Sequence, residues 1–331
     1  MIDFSDLIQN EFARKRIVIV GDLVAYQSLR GTMARGSREA PVFILRHDET
    51  ETFPGGAANA AVNVAALGGT VSLIGLIGAD GNGEALAAKL DEQSVDCRFI
   101  VSSEKMQTTT KVRVLAAQHY APRQQVIRID YENAAAIDEE TKNKLRDNLM
   151  RAGEDADAII FSDYNYGVAD APVFEIAKRI AAEKRIPLLI DSRFRLADFP
   201  HATSATPNQE EVEQILGENF TDGDCENLRE KLGYKALLMT CGNKGMLLVE
   251  QNKKPLRIEA VGAKEPVDVT GAGDTVIAVY ALGLACGLNF AESARLANAA
   301  GGIVVMKKGT AAVGADELLT SLRSASLTTN G

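Results

Sequence analysis

The sequence predicts an α/β protein with a mostly parallel central sheet covered by helices and a second, smaller β-sheet beside it. Short β-branched runs alternate along the chain with longer Ala- and Leu-rich segments, the rhythm of strands joined by crossover helices. Two regions, about 29–52 and 98–129, break that rhythm. They are richer in Thr, Val, Arg and Gln and carry short alternating patterns, Lys111-Val-Arg-Val-Leu115 and Gln125-Val-Ile-Arg-Ile129. Alternation of this kind marks hairpin strands with one wet face. The two regions read as one small β-lid built from two excursions of the chain.

Taken in order, Ile17-Val-Ile-Val-Gly21 predicts a buried first strand, Ala57 to Leu67 a small-residue helix, and Val71 to Leu76 the next strand. Buried strands are expected at Ala158–Phe161, Pro187–Ile190, Ala236–Met239 and Met246–Val249, with helices between them at Ala171–Glu183 and Glu210–Leu216. Two helices, near Thr275–Gly287 and Ala291–Met306, close the core. No internal repeat, low-complexity tract or Pro-rich linker divides the chain, so residues 1–331 read as a single domain.

The apolar share of 46% and charged share of 24% over 331 residues are ordinary for a globular protein. A net charge of −9 gives no general electrostatic reason to bind nucleic acid or an anionic membrane. Any anionic ligand must be held by a local site. Cys97, Cys225, Cys241 and Cys286 form no C-x-x-C pair, and His47, His119 and His201 are too scattered for a three-His metal centre. The N-terminal segment has acidic residues and no apolar core, so a cytoplasmic location is expected.

The most informative segment is Asp268-Val-Thr-Gly-Ala-Gly-Asp-Thr275, which runs directly into an apolar helical stretch. Gly271 and Gly273 let the backbone approach a ligand without Cβ interference. A turn of this kind entering a helix aims N–H groups and the positive end of the helix dipole at one point, which suits a phosphate. Asp274 falls at that point. As a phosphate ligand a carboxylate would be repelled; as a general base it would take the proton of a hydroxyl attacking the phosphoryl group. A bare G-x-G-D also reads as an ordinary helix start with an acidic first turn.

The octet resembles the signature of the ribokinase-like (PfkB) sugar kinases, and Pro54-Gly-Gly-Ala-Ala-Asn-Ala-Ala-Val-Asn-Val-Ala-Ala-Leu-Gly68 resembles their N-terminal signature. The order and separation of the two also fit. Within that family the sequence is similar to the heptose 7-phosphate kinases of ADP-heptose synthesis. The supporting segments are Arg38-Glu-Ala-Pro41, Thr110-Lys-Val-Arg-Val114, Ile127-Arg-Ile-Asp130, Phe161-Ser-Asp-Tyr164, Thr206-Pro-Asn-Gln-Glu-Glu211, Ala297-Asn-Ala-Ala-Gly-Gly-Ile-Val-Val305 and Lys308-Gly-Thr310.

The resemblance implies a three-layer α/β/α fold with a β-lid, ATP and Mg²⁺, and a sugar or sugar-phosphate acceptor. It implies that Asp274 is the base and that Gly271, Ala272 and Gly273 offer N–H groups to the transferring phosphoryl. Gly55 and Gly56 would lie under the sugar and Asn59 would bond its hydroxyls, although the glycines read equally as close helix–sheet packing. Asn208 and Glu211, with Gln209 and Glu210 between them, would organise Mg²⁺ through water and the nucleotide phosphates; a plain N-cap with an acidic first turn is the other reading. Thr240, Gly242 and Gly245 match a nucleotide loop, which alone could be a simple turn, and Asn298 matches a position near the adenine. Asp268 and Thr270 match a monovalent-cation site, with K⁺ the expected ion. Arg35, Arg38, Lys111, Arg113 and Arg128 lie on the lid, where some would neutralise a substrate phosphate; solvated strand charges are the alternative. A lid with an apolar outer face also implies a homodimer.

Two positions depart from the heptose-kinase pattern. The family's sugar-gripping Asp, four residues beyond Asp22, is Tyr26 here, and a Lys in the segment Ser162-Asp-Tyr-Asn-Tyr-Gly167 is Tyr166. Asp22 belongs to the preceding element and is a weak substitute. A different sugar or a rearranged pocket is therefore expected, and a sugar- or nucleotide-binding sensor without transfer is the alternative. No G-x-G-x-x-G follows Gly21, which argues against a dinucleotide oxidoreductase. No H-x-G-H segment follows the kinase-like region, so a second, nucleotidyltransferase activity is not expected.

Overall fold

The computed structural model describes residues 4–36, 43–117, 123–133, 135–262 and 265–328. The segment containing Arg38 lies outside them, as does the Arg35 side chain. After helical turns over residues 4–14, the chain forms β1 (Arg16–Gly21), β2 (Leu23–Gly36), β3 (Phe43–Gly56), α1 (Ala57–Ala66), β4 (Thr70–Gly78), α2 (Gly81–Glu92) and β5 (Ile100–Ser103). Next come β6 (Thr110–Ala117), β7 (Gln124–Tyr131), α3 (Glu139–Gly153), β8 (Ala158–Asp163), α4 (Ala171–Lys184), β9 (Leu188–Ser192), β10 (Ser204–Ala205), α5 (Gln209–Leu216) and α6 (Asp222–Leu232). The chain ends with β11 (Ala236–Thr240), β12 (Met246–Glu250), β13 (Leu256–Ile258), α7 (Ala272–Ala285), α8 (Phe290–Val304) and α9 (Ala315–Thr328).

A nine-stranded sheet has the order β13-β12-β11-β10-β9-β8-β1-β4-β5. It is parallel from β11 to β5, and β12 and β13 add antiparallel edges. Alternation along β1 divides the core into two layers. Ile17 and Ile19 pack with α1, α7 and α8 on one face; Val18 and Val20 pack with α3, α4 and α6 on the other. Strand order reverses at β1, with β4 to one side and β8 to the other. A crevice opens beyond the carboxyl ends of strands at such a reversal, and Gly21 and Asp163 mark those ends.

The small sheet has the order β3-β2-β6-β7. Its boundaries differ from the sequence expectation. The first excursion starts at Leu23 rather than near residue 29, because Leu23, Val24 and Ala25 are buried and read like core strand. Residues 100–103 form β5, paired in parallel with β4 in the main sheet, so the second excursion begins at Thr110. The expected helix over residues 275–287 starts earlier, at Ala272.

Asp22 joins the two sheets. Its backbone N–H donates to the Ser162 carbonyl and its own carbonyl accepts from Ala57 N–H, both at 3.1 Å. One carboxylate oxygen accepts the N–H groups of Tyr164 (2.9 Å) and Tyr166 (3.0 Å), and the other accepts Val168 N–H (3.0 Å). Burial pushes this carboxyl up to about 6, against the pull of those three bonds. Asp22 therefore shapes the 164–168 loop and does not line the cleft, which removes it from the expected substrate contacts. Asp22→Ala would leave three buried donors without an acceptor and should lower unfolding free energy by about 2–4 kcal/mol. Denaturant titration checks this; unchanged stability would contradict the role.

Candidate active site

A cleft of about 1190 Å³ opens at the reversal point, between the carboxyl ends of the main sheet and the inner face of the small one. The helix start reached by the glycine loop forms one wall. Gly271, with φ of 78°, is the N-cap of α7, and Asp274 lies in the first turn, 3% exposed. Asn59 Nδ2 donates to Asp274 Oδ2 at 2.8 Å, and the Tyr164 hydroxyl donates to Oδ1 at 2.9 Å. Burial pushes the Asp274 carboxyl up to about 6, while the bonds from Asn59 and Tyr164 pull the other way. The result is a carboxylate able to take and release a proton near neutral pH.

Thr270, Gly271, Ala272 and Gly273 line the cleft, but Ala272 donates its N–H to the Val269 carbonyl at 3.2 Å. Ala272 is therefore not a free donor as expected. Asn59 and the Gly55-Gly56 turn are also displaced from their expected roles. Asn59 is buried behind Asp274 and its amide also reaches the Gly271 carbonyl at 3.4 Å. A Cβ on Gly55 would fall 2.2 Å from the Tyr26 ring, so the phenol lies directly over the glycine. Gly56, at φ of 60°, makes the turn into α1.

The small sheet contributes Tyr26, Lys111, Arg113, Arg128 and Asp130 to the cleft, and Glu132 follows directly after β7. Arg113 lies over the Tyr26 ring (5.7 Å) and donates to Thr270 Oγ1 at 3.3 Å, joining the small sheet to the glycine loop. Lys111 lies over the Tyr166 ring (5.4 Å), whose hydroxyl donates to Glu132 at 2.8 Å. Burial lowers the Lys111 ammonium from its ordinary value. Arg128 grips Asp130 through two bonds of 2.7 and 2.6 Å, so its charge is already balanced.

At the opposite side of the cleft, Asn208 and Glu211 form a capping box at the start of α5. Asn208 Oδ1 accepts Glu211 N–H (2.8 Å), and Glu211 accepts both the backbone N–H (2.9 Å) and amide (2.8 Å) of Asn208. The N-cap reading is thus realised, and the pair still faces the cleft along with Gln209 and Glu210. Asp191, at the carboxyl end of β9, faces them. Burial, then the charges of Asp274, Glu211 and Asp163, holds Asp191 well above the usual carboxylate range, and burial also raises Glu211. Arg193 opposes these shifts electrostatically.

A smaller pocket of about 180 Å³ adjoins the cleft through Thr240, Gly242, Val269, Ala272 and Gly273. Met246, Val261, Val276, Gly301 and Val305 make its walls largely apolar, with Gly245 and Asn298 at its edge. Asn298 donates its amide to the Glu259 carbonyl at 2.7 Å. At Gly245 (φ 87°) a Cβ would fall 2.0 Å from the Ile258 carbonyl oxygen, so this glycine admits a close chain crossing. Asp268 lies outside both pockets. Partly buried, it is nevertheless held below the usual carboxylate range by bonds from Thr270 N–H and Gly309 N–H, both 2.9 Å.

Residues 14–317 match the family of pfkB carbohydrate kinases. The chain belongs to the pfkB family. It is 38% identical to the bifunctional protein HldE of Shewanella amazonensis over 318 residues, 95% of this chain and 64% of that protein. It is 40% identical to the HldE of Nitrosococcus oceani over 324 residues, 94% and 64% of the two chains. The chain thus spans just under two thirds of these relatives. Solved pfkB-like folds superpose on it: Arabidopsis thaliana ribokinase complexed with ribose and ATP (TM-score 0.71, 21% identical, 93% of this chain and 98% of that one) and Escherichia coli phosphofructokinase-2 in complex with potassium (0.74, 19%, 94% and 99%). At those identities the likeness concerns the fold.

Tyr164, Asp191, Arg193 and Phe194 line the cleft without having been singled out as site residues. Asp191 was detectable as an acid ending an apolar strand run, Leu188-Leu-Ile-Asp191, since the carboxyl ends of parallel strands carry the site in folds of this kind. Tyr164 stands in the segment Phe161-Ser-Asp-Tyr164, but nothing local indicated its role, because its partner lies 110 residues away in sequence. Asn208→Ala would remove the capping box and should lower stability by about 1 kcal/mol. Thermal melting checks it, and an unchanged melting temperature would mean the cap contributes nothing.

Proposed function

We propose that the chain transfers the γ-phosphoryl group of ATP to a hydroxyl of a sugar or sugar phosphate. The observation that carries this reading is the buried Asp274 carboxylate at the tip of α7, held by two donors at the edge of a cleft lined by Lys111, Arg113 and Arg193. In the proposed step Asp274 accepts the proton of the acceptor hydroxyl while that oxygen forms a bond to the γ-phosphorus. The bond between the γ-phosphorus and its bridging oxygen breaks, and ADP leaves with that electron pair. Gly271 and Gly273 at the helix tip face the developing charge. The apolar pocket beside Thr240, Gly242, Gly245 and Asn298 suits a nucleobase, which supports phosphates lying toward the glycine loop.

Mg²⁺ would neutralise the nucleotide phosphates when bound. Asp191 and Glu211 fit it, because each holds a carboxyl whose ionised form is disfavoured and which a cation would relieve. Among the described residues no group of three or more His, Cys, Asp or Glu side chains could itself hold a metal. The fit is therefore to a largely hydrated ion. A monovalent cation such as K⁺ beside the loop fits one further observation: the Thr310 hydroxyl, on the side chain packed against Gly271, is buried without a partner. Asp268 and Thr270 adjoin it in that proposed site.

Heptose 7-phosphate is the proposed acceptor, supported by the lid motifs and by cleft cations free of carboxylate partners. Lys111, Arg113 and Arg193 form no ion pair among the described residues, and such cations suit a substrate phosphate. Tyr26 favours a second reading, a different sugar, because its ring covers the Gly55 turn on which the resemblance seats the acceptor. ATP consumption across heptose 7-phosphate, fructose phosphates and ribose separates the two; binding without turnover on every compound would favour a sensor. A homodimer through the small sheet is proposed from the exposed outward residues Ile127, Ile129 and Tyr131 of β7. No described helix is long and apolar enough to cross a membrane.

Asp274→Asn should cut turnover by about 10²–10⁴-fold with little change in nucleotide affinity; near-normal turnover would refute the base assignment. The base works only when ionised, so activity should be retained above and lost below a pH near 6. A pH profile of kcat/KM measures that limb.

A further inference from the structure

Asp274 is held by a residue from outside its own helix. Tyr164 directly follows β8, and its N–H is fixed on the Asp22 carboxylate at 2.9 Å. Its ring lies against Gly56, where an added Cβ would approach to 3.4 Å. Its hydroxyl then meets Asp274 Oδ1 at 2.9 Å while Asn59 holds Oδ2 at 2.8 Å. Burial and the neighbouring Asp274 charge hold the phenol well above its ordinary value, so it remains a donor. An amide is no base either, which leaves the carboxylate as the proton acceptor of this trio.

We propose that Tyr164 is a positioning residue that fixes the rotation of the Asp274 carboxyl and keeps an unshared lone pair directed into the cleft. Each carboxylate oxygen has two lone pairs, so one donor on each leaves one apiece for a substrate hydroxyl. A carboxyl bonded on one oxygen alone can rotate about its bond to Cβ. Donors from two elements, α1 and the loop after β8, remove that freedom. Because the same loop is fixed by Asp22, the orientation of the base is tied to the junction at which the small sheet leaves the core. The inference rests on Asp274 being the base.

Tyr164→Phe keeps the ring and removes the donor. Turnover should fall about tenfold, the scale of one charge-assisted hydrogen bond, with the KM for ATP unchanged. The acid limb of kcat/KM should move to higher pH, since the ionised carboxyl loses a stabilising donor. A packing role alone would leave that limb in place, so wild-type turnover with an unmoved limb overturns the proposal. Fluorotyrosine at position 164 retains the shape and makes a stronger donor. It should move the limb to lower pH, and an unmoved limb overturns the proposal even if the Phe variant fails to fold. Asp274→Asn assayed alongside separates the two ideas: an inactive Asn variant with a wild-type-like Phe variant refutes only Tyr164, whereas an active Asn variant refutes the base itself.

Discussion

The architecture around the cleft depends on a carboxylate that never reaches it. Asp22 ends the run of β1 and starts the small sheet, and its three backbone donors all come from one loop beyond β8. Burying an unpaired charge is prohibitively costly, so the loop must close around it. That closure fixes where Tyr164 and Tyr166 stand. One then braces the carboxylate at the tip of α7, and the other carries Lys111 over its ring. Sheet, lid and site are thus three consequences of one polar knot.

The cleft gathers like charges by design of the fold rather than against it. Asp191, Glu211 and Asp274 come from the end of β9 and the first turns of α5 and α7, all at the same edge of the main sheet. Burial raises all three, and the charges of Asp274 and Glu211 add to it at Asp191. Arg193 offsets part of the cost at all three. A protein carrying a net charge of −9 thereby keeps Lys111, Arg113 and Arg193 together on the cleft wall.

The fold was legible in the sequence because its signals are local and repetitive. Ile17-Val-Ile-Val20 could only be a strand buried on both faces, and the alanines of α1 only a helix pressed close against its neighbours. The glycine loop was legible because chain turn, helix start and acid fall within one octet. What sequence missed was set by distance. Asn59 looked like a sugar ligand, since a lone amide in an apolar helix needs a polar partner, but that partner proved to be Asp274, 215 residues on. Residues 100–103 looked like lid because four alternating positions do not say which sheet they extend.

The contact between Tyr26 and Gly55 binds two positions into one unit. The phenol rests on a spot where even a methyl group would collide with it, so the glycine is required by its neighbour as much as by any ligand. Exchanging the ring for a short acid would bare the turn and leave Arg113 without the surface it lies on. Replacing the ring is accordingly a concerted change across three strands, β2, β3 and β6, because a smaller side chain at residue 26 removes the cover of Gly55 and the platform of Arg113 together.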